Sequence, residues 1–418
     1  MPLLLAITLA IPAHAQTVEQ QLRAMQEEIR ALRAEVNELK QQARAVPIVQ
    51  AQVAEFAQTK VESTTKFPVK IFGTIASNTF WNSNDTDWLD IPNIETASNG
   101  GSISSSMRQT RIGANIDGPH VGRFKSSGVM AMDFFGGISN FSTGQTMGIP
   151  RLLYAYMRLD GKKTAFEIGQ DHMILAPRNP TSLTSMAFPA LYRSGNLYLR
   201  APQARLERQL ISGSKGELRA TVGILAPIGG DLNATSLQFA PPNLAGERSR
   251  KAAVQARVSW RAEPAGPYEK PQWEFGASGH YSQEKYGATT APSYVYSADG
   301  DATFGRVGFG GEFFNGRNID AFGGAVGQFA KSRGGFAEAR FAATPRLSLN
   351  SGIGTDRLYK WRPFNPAQRN NTSAFWNAIY QFTPEFAGSL EYRHQRTGSA
   401  PSGKASNNHF NMTFTYSF

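Results

Sequence analysis

From Val69 onward, apolar and polar residues alternate one by one along most of the chain. The last ten residues show it most clearly. Phe410, Met412, Phe414, Tyr416 and Phe418 share one parity, while His409, Asn411, Thr413, Thr415 and Ser417 share the other. Successive side chains of a strand point to opposite faces, so this segment predicts a strand with one apolar and one wet face. Sixteen segments carry the pattern. In the first half they fall near 69–80, 107–117, 125–136, 151–159, 163–171, 202–212, 215–225 and 249–261. In the second half they fall near 271–284, 302–314, 317–329, 335–342, 346–357, 372–382, 386–396 and 407–418.

The connections between these segments sort by parity. Connections one, three, five, seven and nine, at 81–106, 137–150, 172–201, 226–248 and 285–301, are long. The even ones include Asp160-Gly161-Lys162, Ser212-Gly213-Ser214, Asn315-Gly316-Arg317, Thr344-Pro345 and Thr383-Pro384, which have the chemistry of tight turns. Connection eleven, Lys331 to Gly334, is a short exception. A bacterial outer-membrane barrel has long loops on one side and short turns on the other, whereas a soluble sandwich has no reason to sort them. A terminal aromatic on an alternating strand fits the same reading, and would address the chain to the barrel-assembly machinery. The predicted fold is therefore an all-β transmembrane barrel of sixteen antiparallel strands over residues 67–418.

Strand phase separates the two faces. Leu218, Ala220, Val222 and Ile224 point to lipid, with Glu217, Arg219 and Thr221 inward; Val254, Ala256, Val258 and Trp260 point out, with Gln255, Arg257 and Ser259 inward. The row Gln203, Arg205, Glu207, Gln209 is wholly polar, and polar interiors in a barrel of this size mean a water-filled lumen. Phe80, Trp81, Tyr380, Phe382 and Phe386 are candidates for interfacial girdles.

The N-terminal part obeys a different period. Residues 1–15 read as a signal peptide, with an apolar stretch from Leu3 to Ile11 and Ala13-His14-Ala15 as cleavage site. Val18, Leu22, Met25, Ile29, Leu32, Val36, Leu39 and Ala43 then repeat at alternating spacings of four and three. That heptad seam predicts a periplasmic coiled coil over 16–46, stopped by Pro47. Glu28 and Glu35 at g face Arg33 and Lys40 at e, favouring parallel self-association; the seam residues fit dimer or trimer, and a threefold barrel favours the trimer. Residues 47–66 form a polar spacer.

No apolar run of about 18 residues occurs, so no transmembrane helix is predicted. The absence of cysteine removes disulfides, thiolate metal sites and cysteine nucleophiles. The net charge is +11, and because the coil is balanced, the excess belongs to the spacer and barrel. Its bases are interleaved with acids along strands, and no compact basic patch with stacking aromatics appears, so no nucleic-acid partner is expected. The fifth connection stands apart: His172 to Ala201 holds Arg178, Arg193 and Arg200 and no acid. Folded into the lumen, such a loop would favour anions over cations. Arg111, Arg205, Arg219, Arg257 and Arg393, all phased inward, are candidates to extend the ladder, although wall arginines also pair with neighbours such as Glu207, Glu217 and Glu391. The histidines sit in no nucleophile motif and no metal-ligand spacing, so neither an enzyme nor a cofactor is expected.

The order of parts, the barrel opening Val69-Lys70-Ile71-Phe72-Gly73, the run Arg108-Gln109-Thr110-Arg111-Ile112-Gly113 and terminal Phe418 resemble the DcaP-like outer-membrane porins over nearly the whole chain. The resemblance implies a homotrimeric sixteen-stranded porin with a periplasmic coiled coil, set in outer-membrane lipid and admitting small anionic solutes such as dicarboxylates. Phosphate-type porins share the layout, and a structural tether with the coil touching peptidoglycan is the alternative class.

Overall fold

The computed structural model describes two units, Met1–Lys66 and Phe67–Phe418. Described in the first are Gln26, Glu27, Ile29, Arg30, Leu32 and Arg33, all helical. The signal peptide, the spacer and the coil positions Leu22, Met25, Val36 and Leu39 lie outside the described residues. Described in the second are 67–95, 100–137, 146, 148–213, 216–227, 229, 243–262, 270–324, 330–360, 368–399 and 403–418.

The second unit holds seventeen strand segments in one antiparallel sheet. They begin with β1 (Val69–Asn82), β2 (Ser102–Ser106), β3 (Arg111–Val121), β4 (Phe124–Asp133), β5 (Arg151–Asp160) and β6 (Thr164–His172). Next come β7 (Arg200–Gly213), β8 (Gly216–Leu225), β9 (Ala253–Arg261), β10 (Trp273–Tyr286), β11 (Thr289–Phe304) and β12 (Val307–Arg317). The rest are β13 (Lys331–Ala342), β14 (Leu347–Lys360), β15 (Gln368–Gln381), β16 (Phe386–Ser399) and β17 (Gly403–Ser417). β2 and β3 lie in line, both paired with β1, and make one interrupted stave, so the barrel has sixteen. It closes where β1 pairs with β17: Gly73 N–H donates to the Phe418 carbonyl at 3.0 Å, and Phe418 N–H returns the bond at 3.1 Å.

Closure leaves no free sheet edge, and the alternation then decides the two faces. Phe410, Met412, Phe414 and Tyr416 are exposed on the outer wall, and His409, Asn411, Thr413 and Thr415 are buried on the inner one. The predicted phases of β8 and β9 hold, with Val222, Ile224, Val254 and Val258 exposed outward. One girdle candidate is corrected: Trp81, Tyr380 and Phe382 are exposed, but Phe80 faces inward and is buried. It has the inward parity of Asn78 and Asn82.

The strand count survives two compensating errors between residues 285 and 334. The expected long connection 285–301 is instead a tall hairpin, β10–β11, whose turn is only Gly287-Ala288. The expected strand 302–314 spans the end of β11, a turn at Gly305-Arg306 and most of β12. Gly287 and Gly305 take φ of 59° and 58°, the left-handed geometry that two-residue hairpins need. Asn315-Gly316-Arg317 is no inner turn but the outer end of β12. Of the expected strand 317–329, Arg317 ends β12 and the described residues 318–324 form a loop with one 3-10 turn at Asp320–Phe322, while 325–329 lie outside the described residues. Lys331 to Gly334 belongs to β13 rather than to a connection. The physical reason is common to these differences. Alternation continues through the tall hairpin because it is strand beyond the expected membrane edge, while Ile319 and Phe322 imitate a strand but turn inward into an apolar cluster.

A Cβ placed on Gly73 would lie 2.6 Å from the Phe418 ring and 2.7 Å from the Arg111 carbonyl oxygen. Gly73→Val should therefore weaken barrel closure by about 1–3 kcal/mol. A lowered midpoint for heat modification of the barrel on detergent gels is the expected readout; an unchanged midpoint would contradict it.

Candidate functional site: a loop-lined constriction

The segment between β6 and β7, residues 173–199 (L3), crosses the interior of the barrel. Its prolines, Pro177, Pro180 and Pro189, and its lack of alternation keep it out of the sheet. Backbone amides away from bulk water need partners, and inward polar side chains supply them. The Gln255 side-chain oxygen accepts from the amides of Ile174 at 2.8 Å and Leu175 at 3.1 Å. Buried Glu312 accepts from the Leu197 amide at 2.8 Å and from Asn196 at 2.9 Å. Glu338 accepts from the Thr181 amide, and Asn377 donates to the Thr181 carbonyl, each at 2.8 Å.

The near wall contributes Gln109, in the interruption between β2 and β3. There Thr110 turns its hydroxyl to the Ala76 amide at 3.1 Å, replacing a ladder bond, and Gln109 is released inward. Gln109 donates to the Thr184 carbonyl at 2.8 Å and accepts from the amides of Met186 at 2.7 Å and Ala187 at 3.2 Å. On its other side L3 seats Leu175 and Leu197 against Val295, Phe314, Ile319 and Phe322.

The connection after β1, residues 83–101 (L1), also dips inward along its described part, 83–95. Asn371 of β15 donates to the Asn93 carbonyl of L1 at 2.7 Å and to the Arg193 carbonyl of L3 at 3.0 Å, stapling both loops to one wall. The carbonyls of Pro92 and Asp90 accept from Gln395 and Asn411. Asp90 is also the partner of buried Arg108.

Against this frame the arginines divide. Arg178 pairs with Asp299 at 2.9 Å and Glu274 at 3.1 Å, and Arg257 holds the same two acids. Arg205 contacts Glu167, Asp171 and Glu207, and Arg219 contacts Glu217 at 2.7 Å. Arg393, fully buried, bonds Glu391 and Ser185 at 2.6 Å each. Among the described residues, no carboxylate lies within ion-pair distance of Arg111, Arg193 or Arg200. The Arg200 guanidinium sits 5.0 Å from the ring centres of both Tyr154 and Tyr198. Arg193 sits over Tyr192 at 5.7 Å, on a backbone with φ of 62°. Arg111 and Arg200 come from staves on either side of β4–β6, yet each feels the other's charge. His172 lies beside them, its Nε2 2.7 Å from the Tyr154 hydroxyl, and the charges of Arg200, Arg111 and Arg205 all reach it.

Sequence reasoning finds the arginines and the loop but not the loop's anchors. Gln109, Gln255, Glu312, Glu338 and Asn371 show only inward parity in the sequence, like many other wall residues. Tyr154, Tyr198 and His172 carry no signal until L3 is placed.

No family model matches the chain, and no curated protein matches it. Solved structures do. The outer membrane channel DcaP of Acinetobacter baumannii superposes with a TM-score of 0.66 at 14% identity, over 86% of this chain and 99% of that one. An anion-selective porin from Comamonas acidovorans matches with TM-score 0.55 at 10% identity, covering 84% and 100%. A trimer form of OmpT, an outer membrane protein of Vibrio cholerae, gives 0.51 at 10%, covering 85% and 100%. At such identities the likeness establishes a shared fold, that of outer-membrane channels.

Two measurements probe the loops. Gln109→Leu keeps the volume but leaves three L3 backbone groups unpaired, at about 1–3 kcal/mol each. Single-channel records should then show rapid flicker absent from the parent; steady currents would contradict the anchoring role. Glu95 of L1 is held by Thr397, and burial pushes its carboxyl up to about 8. An acid whose pKa is raised on docking favours the docked state fully below its free value, near 4.5, and loses that advantage as pH climbs to about 8. L1 should become more susceptible to protease between those pH values, and Glu95→Gln should remove the dependence.

Proposed function

We propose that this chain is a passive outer-membrane porin of the DcaP-like kind, selective for small anionic solutes, carboxylates and dicarboxylates among them. The observation that carries the reading is the set of guanidiniums left without carboxylates, Arg111 and Arg200 beside L3 with Arg193 at its turn, where other inward arginines are neutralised. A fixed positive charge in a narrow passage between low-dielectric walls raises the local anion concentration and repels cations. Arginine adds a planar fork that meets a carboxylate in two places, and the rings of Tyr154 and Tyr198 hold the Arg200 fork in position. Arg178, Arg205 and Arg219 contribute differently in this scheme: bound to acids, they fix L3 and the wall, and their residual field is small.

The function needs no catalytic step and no cofactor. A solute exchanges part of its hydration for contacts with the two guanidiniums and leaves down its gradient. Three such barrels joined by the N-terminal heptads would form a homotrimer with its coil in the periplasm. The trimer form of a protein sharing the fold supports this arrangement.

The reversal potential of the purified protein in a planar bilayer under a KCl gradient tests the proposal. Anion selectivity should fall by roughly tenfold in the Arg111→Ala/Arg200→Ala double variant, the change expected for losing ~1.4 kcal/mol of attraction. Lysine at both positions should preserve it. Cation selectivity of the parent would refute the anion assignment. Block of the chloride current by succinate more than by phosphate would favour carboxylates.

A further inference from the structure

The outer wall carries a second concentration of positive charge, away from the lumen. At the long-loop ends of β12, β13 and β14, strand register places like charges side by side. Arg333 is directly opposite Arg357, and Lys331 is opposite both Arg317 and Lys360. Directly opposed like charges destabilise a sheet unless something neutralises them. Among the described residues none of these five has a carboxylate within ion-pair distance. The adjoining residues 361–370 contain no acid in the sequence.

Arg333 and Arg357 face outward and are exposed, whereas their neighbours of opposite parity, Ser332 and Asp356, are buried. The Arg333 guanidinium lies 6.0 Å from the centre of the Tyr359 ring, and the Tyr359 hydroxyl is tied to Asn315 at 2.9 Å, which holds the group in place. Beneath the two arginines the outer wall is recessed into a cleft of about 580 Å³ lined by Phe313, Ala337, Ile353 and Thr355, with Arg333 and Arg357 at its rim. An apolar cleft capped by paired guanidiniums matches one kind of ligand: a lipid whose headgroup carries phosphate.

We propose that Arg333 and Arg357 bind a phosphate of an outer-leaflet glycolipid of the lipid A type, with one of its acyl chains seated in the cleft below. The leaflet follows from the end of the barrel on which the arginines sit, and so rests on the outer-membrane placement proposed above. The lipid itself supplies the missing counter-charge. The guanidinium fork suits phosphate as it does carboxylate, and opposed arginines can share one phosphate group between two strands.

The full chain in detergent, titrated with diphosphorylated lipid A and followed by native mass spectrometry, provides the test. Discrete adducts are expected on the parent. They should weaken by about tenfold in Arg333→Gln/Arg357→Gln, the loss of a few charge-assisted bonds, and be largely retained with lysine at both sites. Heat modification on detergent gels verifies that each variant is folded. Equal binding of the dephosphorylated lipid, equal binding of phosphatidylglycerol, adducts unaffected by the glutamines, or no adducts on the parent would each overturn the proposal. Ion selectivity should be the same in the glutamine variant, since neither arginine faces the lumen. A failure of the lipid site is thereby distinguishable from a failure of the anion-channel reading.

Discussion

A loop can lie inside a barrel only if its backbone amides and carbonyls find partners there, and this requirement organises the interior of the protein. L3 crosses the lumen because Gln109 on one wall and Gln255, Glu312, Glu338 and Asn377 on the others present side-chain oxygens and amides at the right heights. Asn371 extends the arrangement to L1, so that two connections narrow the passage together. The sheet makes this possible. Once the Gly73–Phe418 ladder has closed the barrel, every second residue of every strand points to a common interior.

The electrostatic character of the passage follows from the same anchoring. Several inward acids are occupied by L3 or by nearby arginines: Glu312 and Glu338 by loop amides, Asp299 and Glu274 by Arg178 and Arg257. Their negative charge is thus offset locally. Arg200 remains, held over the rings of Tyr154 and Tyr198, and so does Arg111, each without a carboxylate at ion-pair distance among the described residues. The proposed anion selectivity rests on this positive charge, fixed but not paired, and the net excess of bases in the sequence is less informative than this local difference.

The outer wall follows a complementary rule. Its apolar side chains match hydrocarbon, and at the long-loop ends of β12–β14 the bases that overlie them line up in register instead of alternating with acids. Inside and outside, the arginines left without carboxylates among the described residues stand where the proposed solute and lipid contacts would be made.

Much of this was legible in the sequence. Alternation set the strands, their phase and the outward row from Phe410 to Phe418, because a period of two is a local property of each strand. The parity of connection lengths pointed to the barrel, and the acid-free run from His172 to Ala201, with Arg178, Arg193 and Arg200, pointed to the connection that contains L3. Alternation failed where it continued past the barrel rim in β10–β11, and where Ile319 and Phe322 were apolar for packing against L3 instead of against lipid. Pairing was also hidden: nothing near Arg178 in sequence reveals that it meets Asp299 and Glu274, whereas Arg200 meets the rings of Tyr154 and Tyr198 and, among the described residues, no carboxylate. The chain by itself determined which residues point into the lumen, since that depends on near neighbours along a strand. Which of those charges stay free was decided by the tertiary structure alone, because ion pairing depends on distances across a closed barrel between residues far apart in the sequence.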